Sequence, residues 1–159
     1  MDKDKALRDE LIFQLTKGHA HMGFLDAVAD FSEEKMNEKF TNGEYTFWHL
    51  LEHIRRTQND ILEFMVNPDY KEREWPKDYW PEKDKKATQK DWDKTVRLFK
   101  EDQKKLQEVV EDEKIDLYAK IPHGTGQTIM REILVIVDHN AYHIGEFAIM
   151  RQVFNNWKK

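Results

Sequence analysis

Cysteine is absent from this 159-residue chain, which excludes disulfides, thiolate metal ligands and a protein sulfur nucleophile in any compartment. Any thiol chemistry would need a thiol brought from outside. Long apolar runs are absent too: none approaches the roughly 18 residues that a membrane span requires. The N-terminus, MDKDKALRDE, is charged from its second residue, so a cytoplasmic location and no membrane partner are expected. Charge of one sign is also lacking. The 26 basic and 31 acidic residues are interspersed, and a formal charge of −5 gives no electrostatic reason for nucleic acid as a partner. The Lys-rich stretch from Lys83 to Lys86 is interrupted by an acid and reads as a solvated face.

Proline and glycine are scarce, and where they stand matters. Three of the four prolines lie between Asn67 and Glu82, and glycine gathers near 18–23, 43 and 124–126, leaving long segments free to be helical. In the first, Leu7, Leu11, Leu15, Met22, Leu25 and Ala29 keep the three-and-four spacing of one helix face, predicting a helix over about 3–30. A second run from about Tyr45 to Val66 places Leu50, Leu51, Ile54, Ile61, Leu62 and Met65 on one side and stops at Asn67-Pro68. A third, near Thr88 to Glu111, repeats Trp92, Val96, Phe99, Leu106 and Val110 among charges. The fourth runs from about Thr128, a suitable N-cap, to Phe154. Four amphipathic helices without an alternating strand pattern predict an all-α, four-helix-bundle fold in one domain, residues 1–159. A chain of this length buries about 68–70% of its unfolded surface, enough for a core without staples. The stretch 67–87, with Tyr70, Trp75, Tyr79, Trp80 and three prolines, is too aromatic for a free linker and is expected to be an ordered crossover between helices two and three.

Seven histidines carry most of the functional information. His139 and His143 stand four apart on one helix face, close enough to grip a single cation. Ile129, Ile136, Phe147, Met150 and Phe154 share that face, so the two imidazoles look inward. There they must be hydrogen-bonded or metal-bound, since a buried unsatisfied polar group costs roughly 1–3 kcal/mol. A third ligand has to come from another helix, which offers His49 and His53. His53 lies at the margin of that helix's apolar side and is the choice; His49 turns further toward Arg56 and solvent and is left as a pocket-rim candidate. His19 is a candidate pocket liner. His21 and His123 read as packing residues.

With these residues placed, the chain resembles the DinB-like family of bacterial four-helix-bundle proteins over nearly its whole length. The resemblance rests on Trp48-His49-Leu50-Leu51-Glu52-His53-Ile54, on Trp75-Pro76-Lys77-Asp78-Tyr79-Trp80-Pro81, and on Gly126-Gln127-Thr128-Ile129-Met130-Arg131-Glu132 leading into Asp138-His139-Asn140-Ala141-Tyr142-His143-Ile144-Gly145-Glu146. It implies a divalent-metal site with one histidine from the second helix and two from the fourth, by position His53, His139 and His143. It also implies an atypical connection order and frequent homodimers. Members with known chemistry include thiol-dependent isomerases and S-transferases using low-molecular-weight thiols. Where the family commonly has Gln after the glycine of its His-x-Gly motif, this chain has Glu146.

Three neutral imidazoles without a thiolate suit Zn, Ni, Fe, Co or Mn, and affinity alone does not choose among them. Three protein ligands leave open positions, the pattern of catalytic sites. The first reading is therefore a divalent-metal-dependent S-transferase that uses a low-molecular-weight thiol on a small-molecule substrate. A metal-dependent hydrolase is the alternative, with Glu146, three residues from His143, as the candidate catalytic base; the bland reading of Glu146 is an exposed charge. Asp138 and Glu52 are candidates to orient ligands of a neighbouring element. Trp48, Trp75, Trp80 and Tyr142 either wall an apolar pocket or fill the core. A non-catalytic metal-binding or stress-response protein, or a bundle whose histidines only pack, are the readings from another class. Trp157 and the apolar residues near the end of the fourth helix are candidates for a dimer surface.

Overall fold

The computed structural model describes residues 2–18, 20–39 and 43–157. It is all-helical, with six helices: α1 (Lys3–Thr16), α2 (Phe24–Val28), α3 (Glu33–Met36), α4 (Phe47–Val66), α5 (Gln89–Glu111) and α6 (Ile129–Val153). Among the described residues there is no strand, only isolated bridges between Lys39 and Thr46 and between Lys120 and Thr128. The three long C-terminal helices begin where their side chains dictate. Thr46, Thr88 and Thr128 each accept a hydrogen bond from a first-turn backbone N–H, satisfying a donor that the helix leaves without a partner.

The first helix is shorter than its apolar spacing predicts. The backbone N–H groups of Lys17 and Gly18 both return to the Phe13 carbonyl, at 2.9 and 3.1 Å, and Gly18 takes φ 65°, the left-handed conformation that ends helices. A Cβ there would stand 2.7 Å from the His21 ring. The chain turns and resumes as α2. Periodicity ran on because Leu11 and Leu15 on one side of the break and Phe24, Ala27 and Val28 on the other are all buried.

Helix α4 is the hub: α5 and α6 pack along it, α1 packs on α5 and α6, α2 on α6, and α3 on α4. The interior divides into two apolar clusters. One surrounds Phe24, Phe47, Trp92, Phe99 and Phe147, the other Leu11, Leu62, Leu106, Ile133 and Ile136.

Residues 67–87 lack regular structure yet are tied to α4 through one buried carboxylate. Asp60 accepts from the Tyr70 hydroxyl at 3.0 Å, from the Tyr79 hydroxyl, and from the Arg73 guanidinium at 3.1 Å. Arg56, one turn earlier, donates to the backbone carbonyls of Asp78 and Trp80 at 3.3 and 3.0 Å. Asp60→Asn removes the charge that these donors were arranged to meet. The expected cost is about 1–3 kcal/mol in a urea melt, and loosening of the segment should appear as faster backbone amide exchange at residues 70–80.

Candidate metal centre

The structure brings His53, His139 and His143 together: one nitrogen from each lies within 4.8 Å of the other two. Among the described residues no other group of three or more potential ligands does so. Helix α4 supplies the first imidazole and α6 the other two, which are neighbours because four residues make one helical turn. The rings stand nearly edge to face, with centroids 4.5–5.0 Å apart.

The second nitrogen of each ring fixes what the first can do. His53 Nδ1 lies 3.1 Å from the Tyr79 carbonyl oxygen, which can only accept, so the proton is on Nδ1 and Nε2 keeps its lone pair. His143 Nδ1 lies 2.8 Å from a Glu146 carboxylate oxygen and donates to it, so in the neutral ring Nε2 is the nitrogen free to bind a cation. The other Glu146 oxygen accepts a short hydrogen bond from the Tyr45 hydroxyl. His139 Nε2 sits 3.2 Å from His53 Nε2, and its Nδ1 is buried without a hydrogen-bond partner. Without a cation, His139 Nε2–H must donate to His53.

This donor set fits a divalent cation. Two zinc–nitrogen bonds of about 2.0–2.1 Å at a tetrahedral angle hold their nitrogens about 3.3–3.4 Å apart, close to the 3.2 Å separating His139 from His53. Carbonyl and carboxylate acceptors on the far nitrogens are the partners that orient metal-binding imidazoles. Burial also keeps the His53 and His139 rings in the neutral form that ligation needs. It lowers His53 to about 4, with the nearby His143 adding to the effect and the Tyr79 carbonyl opposing it. For His139 burial and then the two neighbouring imidazoles lower the value to about 3. Burial alone would raise Glu146, but hydrogen bonds from His143 and Tyr45 outweigh it and hold the carboxyl below its usual range.

Aromatic rings surround the cluster. The Trp80 indole stacks flat on the His53 imidazole, with centroids 3.9 Å apart and planes 5° from parallel. Trp75 approaches His53 and Tyr142 approaches His143 edge-on, and both are largely exposed. Trp48 is buried in the core and fills it.

Several residues stand elsewhere than sequence reasoning expected. His49 does not turn to solvent. It is buried, its Nδ1 accepts from the Thr46 backbone N–H at 3.3 Å, and its Nε2–H donates to the Lys85 carbonyl at 2.9 Å, so it closes the cap of α4 and holds the end of the crossover. Glu52 spends its carboxylate on Arg55, Arg56 and Thr95, and Asp138 is exposed. Neither reaches the cluster. His21 and His123 each bond a backbone carbonyl, and His19 lies outside the described residues. Tyr45 and Tyr79 were missed. Tyr79 acts through its backbone carbonyl, which no side-chain pattern signals, and Tyr45, expected at the start of the second helix, instead precedes its Thr46 cap.

A family model described as the DinB superfamily matches residues 19–147. No curated protein and no solved structure matches the chain.

Two outcomes follow for the metal-free and metal-loaded protein. In the unfolded chain an imidazole takes up its proton near pH 6.5, whereas in the folded, metal-free chain His53 does so only near 4 and His139 near 3. The unfolded state therefore binds more protons as pH falls from about 6.5 to 4. Metal-free stability should drop across that window by on the order of 1.4 kcal/mol per pH unit for each imidazole, read from denaturant midpoints. Glu146→Ala, which frees His143 to rotate, should weaken zinc binding about 10–100-fold in a chelator competition.

Proposed function

The chain belongs to the DinB superfamily, and on that premise we propose that it is a divalent-metal-dependent enzyme whose metal is held by His53, His139 and His143. The observation that carries the reading is the convergence of three imidazoles, two of them with their far nitrogens already anchored. The protein offers three ligands and no thiolate, so the metal is one of Zn, Ni, Fe, Co or Mn with open positions for a substrate. The four long helices α1, α4, α5 and α6 are read as a four-helix bundle in a single domain over 1–159, with 67–87 as the ordered crossover between its second and third helices.

The reaction we assign is S-transfer from a low-molecular-weight thiol to a small electrophile. A divalent cation at such a site lowers the pKa of a thiol or water brought to it, supplying the activation that a cysteine would otherwise provide. The protein's own part is to hold and shield. Tyr79 and Glu146 keep two imidazoles aimed at one point, and Trp80 closes the His53 ring face to water. Tyr45 keeps the Glu146 carboxylate in line with His143. In the hydrolytic alternative Glu146 is the base, taking a proton on a lone pair that His143 and Tyr45 leave free.

A homodimer and a cytoplasmic location belong to the same proposal. Ile149 and Val153 project from the end of α6 and are more than half exposed, and Trp157 follows them, so these are the side chains we place in a dimer face. No helix of the described residues is long and apolar enough to cross a membrane.

Elemental analysis of protein purified without a metal-affinity tag should give about one divalent metal per chain, and His139→Ala prepared the same way should have lost it. The metal-loaded parent should then conjugate a low-molecular-weight thiol to an electrophile, and the variant should do so at no more than a hundredth of that rate. Metal in both proteins, or in neither after incubation with zinc, nickel and manganese, would sink the ligand assignment. Metal bound without any turnover would favour a non-catalytic metal-binding protein.

A further inference from the structure

Beside the imidazole cluster lies a cleft of about 600 Å³, within the range of small-molecule sites, with Tyr45, Pro76, Trp80 and Pro81 as its apolar walls. One face of the Trp80 indole is covered by His53, and the same indole lines the cleft. The Tyr45 ring stands 5.2 Å from it, tilted by 36°. A flat ring entering there would meet an indole face, a phenol and two proline rings, surfaces that favour stacking over hydrogen bonding.

The polar groups define the ligand by what they withhold. Glu44, Glu82, Lys77 and Lys83 stand at the rim, two charges of each sign. Lys83 pairs with Glu44 at 3.6 Å and Lys77 with Glu74 at 3.0 Å, so each ammonium is offset by a carboxylate and the rim carries no net charge to select an anion. His49 contributes wall but no hydrogen bond, because Thr46 and Lys85 take both its nitrogens. The Tyr45 hydroxyl is committed to Glu146.

We propose that this cleft binds an uncharged, flat, apolar ring system stacked on Trp80. Resting on the metal-site reading above, it is the seat of the electrophilic substrate. Two of the four apolar walls are coupled to the imidazole cluster: Trp80 lies on His53, and Tyr45 reaches His143 through Glu146. Occupancy is thereby felt at the cluster.

N-phenyl-1-naphthylamine, an uncharged fluorophore, tests this on the full chain, with and without zinc and with zinc content measured in parallel. Saturable one-to-one binding is expected, weakened at least tenfold by Trp80→Leu. It should be unchanged by Leu25→Glu, which alters the separate groove between α2 and α5. The sulfonated analogue 8-anilinonaphthalene-1-sulfonate should bind no more tightly. Absence of saturable binding, indifference to Trp80→Leu, loss on Leu25→Glu or tighter binding of the sulfonate would each overturn the proposal. If Trp80→Leu fails to fold, nuclear Overhauser contacts between the probe and the Tyr45 and Trp80 rings of the parent decide instead, and their absence overturns it. Probe binding without zinc uptake would count against the metal reading alone; zinc uptake without probe binding would count against the cleft alone.

Discussion

Three imidazoles taken out of water between two helices set the terms for everything around them. A ring whose two nitrogens both lack partners is costly to bury, and a ring that escapes the cost by taking a proton can no longer ligate a cation. The protein meets both demands by giving His53 and His143 a fixed acceptor on the far nitrogen. His139 has none, its Nδ1 is buried alone, and its near nitrogen leans on His53. Without a cation His139 Nε2–H leans on the His53 lone pair, and a cation held by the three near nitrogens would take that hydrogen's place.

That requirement explains why an irregular segment is so firmly held. The acceptor for His53 is a backbone carbonyl at residue 79, far from any helix, so the segment carrying it must be anchored as rigidly as a helix would be. Asp60 and Arg56 do this from α4, the helix that also carries His53. His53 and its acceptor are thus referenced to one element.

Much of this was legible in the residues. The helices from 47 to 66, 89 to 111 and 129 to 153 follow from apolar spacing, and Thr128 marks the start of the last. His139 and His143 announce themselves by a four-residue interval on an apolar face. The break after Thr16 was not legible, because spacing reports which side of a chain is buried and is blind to a turn whose two arms face one core. His49 misled for a related reason. A helical wheel assigns direction from the helix axis, whereas its burial comes from the crossover end that folds over it. Partnerships made through main-chain atoms, such as those of Tyr79 and Lys85, leave no trace in residue type.

Tyr79 and Trp80 are consecutive, and they govern the two ways in which the His53 ring can move. The Tyr79 carbonyl sets its rotation in the plane, and the Trp80 indole bars tilting out of it. A single peptide unit therefore acts as a gauge, and its position is measured off against Asp60 and Arg56. Insertions and deletions between residues 73 and 81 would shift that gauge and disturb the ligand without touching it. Residues 82–86 are exposed and stand outside these contacts, although the Lys85 carbonyl still accepts from His49. Among relatives of this chain, the segment ahead of Pro81 should be the part whose length does not drift.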